Sequence, residues 1–186
     1  MKKTVLLFFF FVLFFSCKEI NSSNKEISDS NIEFTDYYNR KVKVKKEPQT
    51  IISLSPGITE ILFNLGVGER IIGRTKFCNY PDTALQIEEI GGISDASLEK
   101  IITLRPEIVI TSSMVSKKLV ENIEKAGISI ICLPERSNVE GVYKSLQILG
   151  KIFNKETTAD SLINNMKKEL NEIKSSYNND SKKPSV

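Results

Sequence analysis

The sequence predicts an α/β fold: a parallel sheet flanked by helices, preceded by a β-hairpin and followed by one long C-terminal helix. Three observations carry this. From residue 51 onward, short apolar runs alternate with stretches whose apolar residues are spaced by three and four, the pattern of parallel strands joined by crossover helices. Proline or glycine stands where most of these elements should stop. Residues 159–177 then repeat an apolar residue every three or four positions, enough for a long helix with a single seam.

Taken in order, Ile32 and Phe34, then Val42 and Val44, alternate with polar residues on either side of Tyr37-Tyr38-Asn39-Arg40, which reads as strand, turn, strand. Lys45-Lys46-Glu47-Pro48 ends the hairpin. Ile51-Ile52-Ser53-Leu54 is a short apolar strand, and Ser55-Pro56 offers an N-cap followed by proline at the first helical position. Ile58, Ile61, Leu62 and Leu65 mark the buried face of a helix that Gly66 ends. Residues 71–73 form the next strand, and residues 75–92 a long irregular connection. Leu98, Ile101, Ile102 and Leu104 make a short helix stopped by Pro106. A strand over 108–110, a helix over 115–126 closed by Gly127, and a strand over 128–133 ended by Pro134 follow. Val139, Val142, Leu146, Leu149 and Ile152 give a helical stripe, and the seam of the last helix runs Ala159, Leu162, Ile163, Met166, Leu170 and Ile173. A lone seam on a long helix requires something to lie against.

In sheets of this kind ligands gather at the carboxyl ends of the strands. The segments there are 53–57, 75–80, 111–114 and 134–137, rich in Ser, Thr, Pro and aromatic residues. None carries a glycine-rich phosphate fingerprint.

The N-terminus reads as an address. Lys2 and Lys3 precede an unbroken apolar run over residues 5–15, then Ser16 and Cys17. The run is shorter than the roughly 20 residues a spanning helix needs, so residues 1–16 read as a secretory signal. Residues 17–31 are polar and rich in Ser and Asn, too poor in apolar surface to fold, and read as a flexible tether.

Composition narrows the function. The chain of 186 residues has no His and no Trp, and its net charge is +3. Lys2 and Lys3 lie in the signal, so the mature excess of base over acid is one. Nothing resembles the basic stripe of a nucleic-acid binder. Without His, and without clustered carboxylates in the strand-end loops, a secreted α/β enzyme lacks its nucleophile–base pair or metal site. No catalytic residue, metal site or cofactor is expected. Cys78 and Cys132 are left in the folded part. Secretion permits a disulfide between them, while Cys132 within an apolar strand reads as a buried free thiol.

Four segments carry a resemblance. Residues 52–81, ISLSPGITEILFNLGVGERIIGRTKFCNYP, resemble the opening of the periplasmic binding proteins for cobalamin, ferric siderophores and haem. Residues 34–52, FTDYYNRKVKVKKEPQTII, resemble that family's N-terminal hairpin, in which Asp is followed by a turn and Arg. Residues 91–112, GGISDASLEKIITLRPEIVITS, resemble its Gly-Gly and Leu-Glu-Lys-Ile segment. The last helix stands where the family joins its two lobes, and Ser16-Cys17 resembles a bacterial lipobox with phenylalanines at the two preceding sites.

The resemblance implies a Rossmann-like N-terminal lobe over 32–156, a lobe-joining helix over 157–178, and the start of a second lobe over 179–186. That second lobe is expected to be absent, through truncation, frameshift or a split gene, leaving one wall of a cleft and severely weakened binding. It implies a substrate-binding lipoprotein of an ABC importer, lipidated at Cys17, held at the cell envelope facing the periplasm or exterior. Its implied partners are the permease subunits of the inner membrane and a corrinoid, ferric siderophore or haem-type chelate. The implied ligand wall is Ser55, Pro56, Phe77 and Tyr80, with Ile93, Ser112 and Met114. Phe77 matches an aromatic that packs on flat ligands. Ile93 and Ser112 stand where some cobalamin binders have tryptophan. Tyr80 has a second reading, packed under its own loop against Pro81. Glu99 matches a glutamate that docks on permease arginines; a carboxylate in a first helical turn is also favoured by the helix dipole. Glu60, early in its helix, reads as structural. Two other functions stand beside transport: a surface lipoprotein or gene fragment using the lobe for interaction alone, and a secreted α/β enzyme.

Overall fold

Ile51 and Ile52 are both fully buried although they are adjacent, because successive side chains of a strand point to opposite faces and both faces of this sheet are covered. The computed structural model describes residues 31–134 and 138–179, with side chains to residue 176. The expected signal (1–16), the lipidated Cys17, nearly all of the tether, loop residues 135–137 and residues 180–186 lie outside the described residues.

The chain opens with the antiparallel hairpin β1 (Asn31–Thr35) and β2 (Lys41–Lys45), in register Phe34↔Val42 and Ile32↔Val44. The main sheet holds β3 (Ile51–Ser53), β4 (Ile71–Arg74), β5 (Ile108–Thr111) and β6 (Ile130–Cys132), all parallel, in spatial order β4-β3-β5-β6. The helices are α1 (Pro56–Asn64), α2 (Leu98–Leu104), α3 (Lys117–Lys125), α4 (Val139–Ile152) and α5 (Glu156–Asn179).

One core lies under α1, α4, α5 and the hairpin. There Ile51, Ile108, Ile110 and Ile131 meet Leu62, Leu149, Phe153 and Val44. A second core lies under α2 and α3, where Ile52, Val109 and Ile130 meet Ile101, Val120 and Ile123. The expected fold is the one observed, with several elements slightly shorter. The strand expected over 128–133 pairs only over 130–132. The helix expected from residue 115 starts at Lys117, because the Ser116 side chain accepts from Leu119 N at 3.3 Å and so caps it there. The connection after β4 has more order than expected. Arg74 is buried, and its guanidinium donates to the carbonyls of Ala84, Thr75 and Leu85 at 2.7, 3.0 and 3.2 Å. It pins a 3-10 turn over Asp82–Gln86 against the sheet.

The seam of α5 finds its surface on α4. A Cβ on Gly150 would stand 2.9 Å from the Cβ of Ala159, so glycine there lets the two helices approach closely. Ala159 and Ile163 are buried, but Leu170 is only half-covered and Ile173 is 64 % exposed. The second half of α5 therefore runs past the core it starts from.

Candidate functional site

All four strands of the main sheet run the same way, so their carboxyl ends lie along one rim. β3 and β5 are neighbours although their crossovers leave to opposite sides. The crevice at such a reversal is where open α/β sheets bind ligands. Ser55-Pro56 and Ser112-Met114 flank it.

At the end of β3, three buried hydroxyl residues shape the chain. Thr59 Oγ1 donates to Ser53 Oγ at 2.9 Å and lies 3.2 Å from Ser55 O, while Ser53 Oγ donates to the same carbonyl at 3.2 Å. This braces the turn into α1. Pro56 begins the helix as expected, but the Ser55 side chain makes no capping bond although its backbone takes the N-cap conformation. Ser53 braces the turn instead, donating to the Ser55 carbonyl and accepting from Thr59 Oγ1.

At the end of β5, Ser112 O accepts from Val115 N at 3.2 Å, turning the chain so that Met114 stands 67 % exposed. Ser112 is 5 % exposed, and its hydroxyl has no hydrogen-bond partner among the described residues. A buried unpaired hydroxyl costs about 1–3 kcal/mol.

Beyond β4, Cys78 N donates to Thr75 O at 3.0 Å, and Thr75 Oγ1 lies 3.2 Å from Cys78 Sγ. This tight turn puts Phe77 at its tip, 51 % exposed, with the Lys76 ammonium 5.2 Å from the ring centre. Tyr80 is 64 % exposed, so the reading that packs it under its own loop does not hold; the preceding turn is already closed by the buried Cys78. Lys76 N donates to Gly91 O at 2.9 Å, which brings the Ile93 loop beside Phe77. Ile93 itself is half-buried against the α2 and α3 core and offers only part of its side chain.

The hairpin tip closes the rim at β6, and the sequence did not place it there. Asp36 is 4 % exposed. One of its oxygens accepts from Tyr38 N and Arg40 N, each at 3.0 Å. The other accepts from Arg40 Nε at 2.9 Å, from Arg40 Nη2, and from Cys132 N at 3.4 Å. Arg40 pairs in turn with Glu124 at 2.5 Å. Burial opposes the Arg40 charge, but hydrogen bonding and attraction from Asp36 and Glu124 outweigh it and raise its pKa. The signal was in the sequence all the same: two tyrosines in a turn, where polar residues are usual.

Cys78 and Cys132 are both free and buried. Cys78 follows β4 and Cys132 ends β6, at opposite edges of the sheet separated by three inter-strand spacings of about 5 Å each, well beyond disulfide reach. Burial pushes the Cys132 thiol up to about 12, and the charge of Asp36 adds to the effect. Among the described residues no group of three or more His, Cys, Asp or Glu could hold a metal, and no helix is long and apolar enough to cross a membrane.

Glu99 lies in the first turn of α2, capped by Ser97, whose side chain accepts from Lys100 N at 3.2 Å. Lys100 turns away to Glu88 at 2.9 Å, and Glu99 is exposed with no ion-pair partner among the described residues. Glu60 lines a cavity of about 400 Å³ with Ile61, Val142, Leu162 and Met166, between α1 and the α4–α5 pair.

Comparison with known proteins places this arrangement in context. Residues 51–186 match the model of the periplasmic binding protein family. The chain is 32% identical over 145 residues to an uncharacterized ABC transporter substrate-binding lipoprotein, YvrC, of Bacillus subtilis, covering 76% of this chain and 46% of the relative. It is 29% identical over 136 residues to a vitamin B12-binding protein of Vibrio campbellii, covering 72% and 49%. Its fold superposes on the petrobactin-binding protein YclQ of Bacillus subtilis with a TM-score of 0.71 at 20% identity, over 78% of this chain and 53% of the other. The chain thus spans about half the length of the curated relatives it matches.

Proposed function

The chain belongs to the periplasmic binding protein family, and from that premise we propose that it is the ligand-capturing component of an ABC importer for a metal chelate of the corrinoid, ferric-siderophore or haem type. The observation that carries this reading is the rim. Phe77, Tyr80 and Met114 are each more than half exposed in the loops after the carboxyl ends of the strands, and Ser112, two residues before Met114, has a buried hydroxyl without a partner among the described residues. Apolar and aromatic surface with a few aimed polar groups is how small-molecule sites are built. The family binds and delivers its cargo without chemistry. Ser55, Pro56, Phe77, Tyr80, Ser112 and Met114 form the wall in this proposal, with Ile93 as a partly covered flank. Residues 1–16 serve as the signal, lipidated Cys17 as the anchor at the cell envelope, and residues 157–178 as the helix toward a second lobe.

The chain contains no tryptophan, so Phe77→Trp places a single indole on the rim. Titration of the full chain carrying it with cyanocobalamin, haemin and a ferric siderophore should give saturable quenching by one of them. Quenching that never saturates with any of the three sinks the proposal. Calorimetry with the same probe should find Phe77→Ala weakened about tenfold, the worth of one aromatic contact with the area it buries.

Glu99 is proposed to dock on a basic patch of the permease. Its exposure and its separation from Lys100 support that role. Glu99→Arg should leave ligand affinity unchanged and abolish stimulation of the transporter's ATPase, because it sets like charges against each other in the contact. Undiminished stimulation by the variant would leave only the helix-dipole role.

A further inference from the structure

Each end of the strand-end rim carries an exposed aromatic ring. Phe77 follows β4 at one edge of the sheet. Tyr37 stands at the other edge, where its N–H donates to Cys132 O, at the last residue of β6, at 2.9 Å. Its ring is 40 % exposed. The tip that carries it is held on two sides. The buried Asp36 carboxylate gathers the backbone of Tyr38, Arg40 and Cys132. The Tyr38 hydroxyl donates to Val115 O at 2.7 Å, next to the exposed Met114. The Tyr38 ring meets that of Tyr37 edge-on at 5.3 Å between centres. Turns ordinarily carry polar residues, so a large ring left exposed on so firmly held a tip calls for a use.

Resting on the reading that this rim faces a chelate, we propose that Tyr37 is a ligand-contacting residue, one jaw of a wall whose opposite jaw is Phe77, and that the cargo is wide enough to touch both. Between them lie β4, β3, β5 and β6, three inter-strand spacings or about 14 Å. A macrocyclic or multidentate metal chelate covers that width; an oxyanion or an amino acid does not. Tyr37 offers a flat face for packing at the ligand's edge. Asp36 and Arg40 act as positioning residues, since they fix the tip and touch no ligand themselves.

The test is calorimetry on the full chain with cyanocobalamin, haemin, ferric enterobactin and molybdate, comparing wild type, Tyr37→Ala, Tyr37→Phe and Phe77→Ala. We expect one of the three large chelates to bind and molybdate not to. Tyr37→Ala should weaken that binding about tenfold, as loss of an aromatic contact does, and Tyr37→Phe should stay near wild type. The melting midpoint of Tyr37→Ala should match wild type, because the lost ring is exposed. Full affinity in Tyr37→Ala alongside a loss in Phe77→Ala overturns the role of Tyr37 and leaves the rim reading standing. A loss accompanied by a lower melting midpoint counts against a contact role in the same way. Preference for molybdate overturns the width argument. Failure of every probe to bind wild type defeats the ligand reading itself, and this inference with it.

Discussion

Asp36→Ala should destabilise the protein by about 3 kcal/mol, the low end of the cost of removing one partner from a buried ion pair. The low end applies because the Arg40 side chain is 21 % exposed and keeps Glu124. The substitution leaves the N–H groups of Tyr38, Arg40 and Cys132 without their shared acceptor. For a domain of this size the melting midpoint should fall by roughly 10 °C. Asp36→Asn should recover only part of this. Its carbonyl oxygen can still accept from Tyr38 and Arg40, but its amide then faces Arg40 and Cys132 N–H, donor against donor. Chemical denaturation of the three proteins measures the series. Wild-type stability in Asp36→Ala would mean that the hairpin tip is not clamped to β6 through this carboxylate.

Stability should fall as pH rises through the alkaline range, in a way that belongs to Cys132. The folded thiol is held at about 12 by burial, with Asp36 contributing, against an ordinary value near 9.0. Below pH 9 the thiol is protonated in both states, and its contribution is fully present. Above that the unfolded chain loses its proton first, so the folded state binds more protons and stability declines by about 1.4 kcal/mol per pH unit. The loss reaches roughly 2 kcal/mol near pH 10.5 and is complete once pH passes the folded value. Tyr38 is also raised, first by burial and then by Cys132, Tyr37 and Asp36 against the pull of Arg40, so it adds to the slope. Comparison with Cys132→Ala isolates the thiol. The stability difference between wild type and variant, measured at pH 8 and 10.5, should shrink by that amount. Parallel pH profiles would show that the thiol ionises equally in both states.

Much of the fold was legible because it is local. Ile51-Ile52, Ile108–Val109–Ile110 and Ile130–Ile131 are apolar on consecutive residues, which only strands covered on both faces require. The proline after Ser55, and the glycines at 66 and 127 with φ of 75° and 78°, mark where elements begin and end by chemistry a reader can see. The exposure of Phe77 and Met114 agrees with their placement in strand-end loops. Tyr80 was less legible. Whether a tyrosine beside a proline packs inward depends on what fills the space beneath, and here Tyr80 stands 64 % exposed while Cys78 and Ala84 are buried. The weight of Arg74 was hidden for a similar reason. An arginine at a strand end reads as surface, and only three carbonyls folded back around it make burial affordable.

By itself, the sequence determined the α/β class, the order and approximate bounds of its elements, and the strand-end loops as the place to look for a site. These follow from periods of two and 3.6 and from turn chemistry, which act over a few residues. Only the tertiary structure decided that the hairpin tip lies on β6, that Cys78 and Cys132 stand too far apart to bond, and that Tyr37 and Phe77 face outward from opposite edges. Asp36 and Cys132 meet across 96 positions of chain. No local pattern encodes such a meeting; it depends on a strand order of β4-β3-β5-β6 and on a buried carboxylate that must find every donor it needs where the chain comes back to it.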